Sequence, residues 1–228
     1  MNIHPVAYFH SPLTSKFGIP RQSGLAEELV GTIVLEPEYR REEAVRGLEA
    51  FDYLWLIWEF SANPHEQQGL TVRPPRLGGN ERVGVFASRS PFRPNRLGLS
   101  CVRIDKVEIG ENGPVIHVKG ADLMDGTPIY DIKPYVAYAD SHPEAQCGFA
   151  SEAPEQKLTV MIPEDLPISD VQRTALEQVL ALDPRPAYQD DPNREYAMPF
   201  EGADVHFRVQ DGVLYVIGLT SLNGTGKA

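Results

Sequence analysis

The chain reads as a mainly β protein, a mostly antiparallel barrel or sandwich followed by a small α+β unit. Three observations carry this reading. Short apolar or alternating runs recur along most of the 228 residues, separated by Gly/Pro turns. No βα unit repeats, which argues against a parallel sheet. The clearest amphipathic helix stands alone late in the chain, just ahead of a hairpin signal.

Ile3 to Phe9 alternates loosely and predicts a first strand, stopped by Ser11-Pro12. A loop with Pro12, Gly18, Pro20 and Gly24 as breakers follows, and its polar centre PRQSG is a candidate for ligand contact. LVGTIVL, residues 29–35, is short and β-branched, hence a strand. EYRREEAVRGL, residues 38–48, combines helix formers with i,i+4 charge pairs and predicts a brief helix ending at Gly47. FDYLWLIWEF, residues 51–60, is the most apolar strand, with Trp55 and Trp58 read as core. Further strands are expected over 82–87, 97–109 and 115–119, with a turn at Asp125-Gly126.

The polar stretch 138–155 predicts a boundary, giving an N-terminal unit over 1–145 and a C-terminal unit over 146–228. In the second unit a strand is expected at 157–162. SDVQRTALEQVLAL (169–182) is a helix with a Ser169/Gln172 capping box. Two alternating runs flank Gln210-Asp211-Gly212 as a hairpin.

Composition narrows the function classes. At 42% hydrophobic and 23% charged, with no apolar run of membrane-spanning length and no leader-like N-terminus, the chain is expected to be a soluble cytoplasmic protein with two reduced cysteines. A net charge of −11 argues against a nonspecific nucleic-acid coat. The charge is uneven, however. Residues 71–100 hold six arginines, no lysine and one acid, a local +5 that leaves −16 on the rest. Arginine offers a planar five-donor fork that suits carboxylates and phosphates. That stretch either lines a site for an anion or pairs with nearby acids as a solvated loop.

Other chemistries lack their signatures. There is no GxGxxG after a strand, no P-loop and no GxSxG elbow, and the six histidines and two cysteines have no metal-ligand spacing. What remains suits binding and positioning better than covalent catalysis.

RLGGNERVGVFASRSPFRPNRLGLS, with PRQSGL upstream and DLMDGTPIYDIKPYV and DPRPAY downstream, resembles the TsaA/TrmO-like (YaeB, VirR-like) family of tRNA (adenine-N6)-methyltransferases. The resemblance runs from about Ile3 to Tyr188. It implies S-adenosylmethionine held by an antiparallel β-barrel rather than a Rossmann-like fold, a homodimer with the cofactor near the subunit interface, and no metal. It also implies a tRNA substrate, methylated on N6 of threonylcarbamoyladenosine beside the anticodon, at position 37.

Carried over onto this chain, the cofactor contacts fall on Arg21, Gln22, Ser23, Gly24, Leu25, Phe60, Ser61, Arg89, Leu99, Gly120, Ala121, Asp122 and Leu123. Where relatives carry a His-Gln pair this chain has Ser61-Ala62. N6 of the modified base is a weak nucleophile, so a carboxylate accepting its proton would help, with Asp122 or Asp125 as candidates. Of the two, Asp125 is better explained as the turn former of Asp125-Gly126. Arg73, Arg76, Arg93 and Arg96, together with Arg185 and Tyr188 of the C-terminal unit, are the expected tRNA contacts. Two alternatives share the same arginines: a SAM- or RNA-binding module without catalysis, and a methyltransferase of a small molecule.

Overall fold

The computed structural model describes residues 2–63, 69–152, 158–186 and 191–222. Its larger β unit is a closed barrel. The six staves are β1 (Ala7–His10), β2 (Val30–Leu35), β3 (Tyr53–Glu59), β6 (Leu97–Gly110), β7 (Gly113–Lys119) and β8 (Thr127–Pro134). Between β3 and β6 lies a two-stranded ribbon of β4 (Thr71–Val72) and β5 (Val83–Gly84). Around the barrel the order is β1-β2-β7-β6-β3-β8, and β8 returns to β1 through Ala7↔Ile129. Every pairing in the barrel is antiparallel.

The alternation legible in the sequence is what closes it. Ile33 and Leu35, Leu54, Leu56 and Trp58, and Ile116 and Val118 all face inward, while their neighbours face out. Each such side chain, fully buried, contributes about 1.5–3 kcal/mol. The expected strands over 29–35, 51–60, 97–109 and 115–119 all form within a residue or two of their expected ends.

Three expectations in this half are not met. The first strand spans only Ala7–His10 instead of starting at Ile3. Residues 38–48 form no α-helix; short 3-10 turns at Pro37–Tyr39, Glu42–Ala44 and Leu48–Ala50 replace it. Only Val45 of that segment is buried, so no apolar stripe exists to hold a helix, and Gly47 sits at φ +87. Likewise 82–87 contributes only β5 and a 3-10 turn at Val85–Ala87, because Val85 alone is buried.

After a one-turn helix α1 (Ala137–Asp140), the C-terminal unit consists of β9 (Thr159–Met161), α2 (Asp170–Ala181), β10 (Tyr196–Phe200), β11 (Ala203–Gln210) and β12 (Val213–Ser221). Its sheet runs β10-β11-β12-β9, with β9 parallel to β12 and the rest antiparallel. The capping box forms as expected: Ser169 Oγ accepts from the Gln172 amide and the Gln172 side chain accepts from the Ser169 amide. Asp211 and Gly212, at φ +51 and +76, make the two-residue turn of the β11–β12 hairpin. Ala175, Leu176, Val179 and Leu180 of α2 share one core with Phe207, Val209 and Leu214. Leu13, Ala26 and Leu29 belong to that same core, although they lie in the stretch between β1 and β2. Among the described residues no helix is long and apolar enough to cross a membrane.

Candidate cofactor and RNA site

One end of the barrel opens into a cavity of about 490 Å³. Three separated stretches line it: Lys16 to Gln22 of the loop after β1, Trp58 to Asn63 at the end of β3, and Ser88 to Leu99 leading into β6. Asp122, Met124 and Thr127 complete the wall. The volume lies in the range of small-molecule sites, about 300–1,000 Å³.

Its deepest feature is a polar chain. The Trp58 indole N–H donates to Ser100 Oγ at 2.9 Å, and the Ser100 hydroxyl donates to Asp122 Oδ1 at 2.5 Å. Trp58 reaches this position because β6 has Gly98 opposite it; a Cβ there would lie 2.3 Å from the indole. Asp122 keeps part of its surface open to the cavity, yet protein atoms crowd it on most sides. That burial pushes its carboxyl above the usual aspartate range. The Ser100 hydroxyl, its own backbone N–H, the Arg89 charge and the Ser23 backbone N–H pull the other way.

Arg89 spans the mouth and donates from Nη1 to Gln22 Oε1 at 2.5 Å, joining the two loops. Arg93 turns back, with Nη1 on the Ser88 carbonyl at 3.1 Å. Glu59, a cavity residue that the sequence reading passed over, accepts from Tyr130 Oη at 2.6 Å and pairs with Arg96 Nη2 at 2.8 Å. This hydrogen bond pushes the Tyr130 phenol up to about 12. Arg96 itself takes a left-handed backbone, φ +48, while its carbonyl accepts the Phe60 amide. The one signal for Glu59 was an acid closing an otherwise apolar strand.

The structure thus brings Arg21, Gln22, Phe60, Ser61, Arg89, Leu99 and Asp122 around one cavity. Ser23 and Gly24 stand just behind, with the Gly24 N–H on the Gly120 carbonyl at 2.8 Å and Leu25 half-buried next to them. Ala121 and Leu123 are 2% and 1% exposed and belong to the barrel core, so they support the wall rather than form its surface. Asp125 lies outside the cavity wall: its carboxylate holds the Ser11 amide at 3.1 Å and His10 Nδ1 at 3.2 Å.

Of the expected tRNA contacts, Arg93 lines the cavity and Arg96 is engaged with Glu59. Arg73 is exposed just after β4, and Arg76 donates to the Glu152 carbonyl at 2.6 Å. Arg185 is 10% exposed and paired with Asp183 at 2.9 Å, which withdraws it from the surface. Tyr188 lies outside the described residues.

Two family models match this architecture in order. The tRNA-methyltransferase O N-terminal domain covers residues 8–141 and the TrmO C-terminal domain covers 147–222. The chain belongs to the tRNA-methyltransferase O family. It is 38% identical to the Escherichia coli tRNA (adenine(37)-N6)-methyltransferase, across 94% of this chain and 95% of that one. A Pseudomonas aeruginosa protein named as an S-adenosylmethionine-dependent methyltransferase is 40% identical over 90% of this chain and 91% of its own. A TrmO crystal structure superposes with a TM-score of 0.78 at 32% identity, covering 97% of this chain and 99% of that one. The chain is therefore an S-adenosylmethionine-dependent tRNA methyltransferase on a β-barrel, as the resemblance implied.

The cavity's donor set fits that cofactor. S-adenosylmethionine carries a carboxylate, an ammonium, a sulfonium and an adenine. The wall supplies cations at Arg21 and Arg89, acids at Glu59 and Asp122, and apolar surface at Phe60, Leu99 and Met124. Among the described residues no cluster of His, Cys, Asp or Glu could hold a metal ion.

Proposed function

We propose that this TrmO-family chain methylates N6 of threonylcarbamoyladenosine at position 37 of tRNA, with Asp122 as the proton acceptor. The observation that carries the second half is the Trp58–Ser100–Asp122 chain at the cavity wall. When bound, S-adenosylmethionine supplies an electrophilic methyl carbon. The protein's part is to align N6 with that carbon and to receive the proton that N6 releases. Ser100 fixes the Asp122 carboxylate, while burial keeps that carboxyl more basic than an exposed aspartate.

Charge supports an anionic substrate. The cofactor is a net cation, yet Lys16, Arg21, Arg89 and Arg93 all border the cavity against Asp122 and an Arg96-paired Glu59. The surplus positive charge suits the threonyl carboxylate and the phosphates of an anticodon loop. Arg76 bonds to the Glu152 carbonyl of the C-terminal unit, and Arg73 is exposed three residues before it. The homodimer of the family resemblance would cover exposed apolar side chains such as Phe86, Phe92 and Leu99, of which Leu99 lines the cavity.

The direct test incubates the purified chain and S-adenosylmethionine with two forms of one tRNA, carrying threonylcarbamoyladenosine or plain adenosine at position 37. Methyl transfer to the first and not the second is expected. Equal transfer to both would remove the threonylcarbamoyl group from the substrate; transfer to neither would leave the binding-module reading.

A further inference from the structure

The stretch 12–29 has two working sides. One side lines the cavity: Lys16, Ile19, Pro20, Arg21 and Gln22 form its wall, and Gln22 takes the Arg89 hydrogen bond. The other side is built into the C-terminal core. Leu13, Ala26 and Leu29 are buried there beside Leu176 and Phe207, and the Phe17 ring stacks on Phe207 with centroids 6.4 Å apart and planes 10° from parallel.

Polar contacts pin the same side. The Glu28 amide donates to Gln178 Oε1 of α2 at 2.8 Å, and the Glu201 amide donates to the Pro12 carbonyl at 3.1 Å. The closest approach is at Gly18. Its backbone lies against Met198 so tightly that a Cβ would sit 2.0 Å from the thioether sulfur, and its φ of +95 excludes most other residues. Met198 is fully buried in β10.

From this we infer that the C-terminal unit is a positioning element of the cofactor cavity. Met198 and Gln178 act through the 12–29 stretch to set where Gln22, Ser23 and Arg89 stand around Asp122. Residues 18–24 have two apolar anchors: Pro20, buried at the cavity wall, and Ile19, which packs into the C-terminal core. Remove the seat and the loop loses its fixed position, although the barrel behind it is intact. Because coupling is reciprocal, a ligand that orders this loop also stabilises the C-terminal unit.

The amide of Gly24, bonded to the Gly120 carbonyl on the barrel side, is the reporter. Hydrogen exchange on the ligand-free full chain would compare Met198→Ala, Gln178→Ala and Leu214→Ala. Leu214 is in the same core but pairs with Val209 at the hairpin end, beyond Phe207. Exchange at Gly24 should rise at least tenfold in Met198→Ala and more modestly in Gln178→Ala, stay unchanged in Leu214→Ala, and return close to the wild-type rate in Met198→Leu. Unchanged exchange in both loop-facing variants would overturn the inference, as would an equal rise in Leu214→Ala. A second readout rests on the cofactor assignment: the KM for S-adenosylmethionine should rise in Met198→Ala more than kcat falls. Exchange needs no ligand, so failure of the cofactor reading and failure of the coupling are separable.

Discussion

The barrel wall and the arginine-rich stretch 71–100 meet at one cavity but are held by different forces. β3 and β8 are fixed by backbone ladders and a buried apolar face. Residues 73–96 bury little besides Val85 and Pro74, and their shape comes from side chains bonding to backbone: Arg93 to Ser88, Ser88 to Val85, Arg76 to Glu152. In the first region charge is a passenger. In the second the arginines hold the local structure and also belong to the proposed site, so one substitution there can do two things at once.

The sharpest contrast is between Asp122, on the wall, and Asp125, three residues later at the turn. Asp122→Asn should cut methyl transfer by about 100-fold or more, the usual range for losing a general base, while the fold persists. The Asp122 carboxyl is raised by burial, so it accepts a proton only above that raised value. Activity should therefore fall on acidification at a pH above the ordinary aspartate range, and that limb should vanish in Asp122→Asn. Asp125→Asn should change stability more than rate, read by thermal melting against turnover.

Next in size, Arg89→Ala should weaken binding of S-adenosylhomocysteine, followed by calorimetry, by about 10–100-fold, the worth of a charge-assisted hydrogen bond of about 1.5–3 kcal/mol. Unchanged affinity would sink the cofactor role of Arg89.

Arg185 and Arg73 break the comparison from the other direction. Arg185→Ala removes both guanidinium bonds to a mostly buried Asp183, which keeps the residue-185 backbone N–H, and should cost about 1–3 kcal/mol in chemical denaturation. Arg73→Ala should leave stability alone, weaken tRNA binding across sequences, and lower the slope of log affinity against log salt by about 0.7, the worth of one single-strand phosphate contact. The smallest effect is expected for Tyr130→Phe. The raised phenol means the bond to Glu59 stabilises the fold fully below the ordinary tyrosine range and is lost as pH rises toward about 12. Over that interval wild type should therefore lose more stability than the variant, the difference being the part that belongs to Tyr130.

What was legible in the sequence follows the reach of the forces involved. The Ser169–Gln172 box and the Asp211-Gly212 turn are decided within four residues, and both form as read. Residues 38–48 have helical propensity but nothing to bury, and tertiary context overrode them. β10 contains Pro199, which a strand tolerates at an edge, and β10 is the edge of its sheet. The residues alone marked PRQSG and the arginines of 71–100 as candidate ligand contacts, and parts of both line the cavity, whereas Phe60, Leu99 and Asp122 came only through the family resemblance. Gln22, Arg89 and Asp122 are far apart in the chain, and no periodicity could bring them together. Glu59 and the Met198 seat under Gly18 depend on packing between distant segments and left almost no local trace.

The activity proposed for this cavity is methyl transfer to N6 of threonylcarbamoyladenosine. Nucleoside mass spectrometry of tRNA from cells lacking the chain, restored with wild type or with Asp122→Asn, tests it most directly. The methylated nucleoside should disappear on deletion, return with wild type, and stay absent with Asp122→Asn. Undiminished methylation in the deletion would contradict the account.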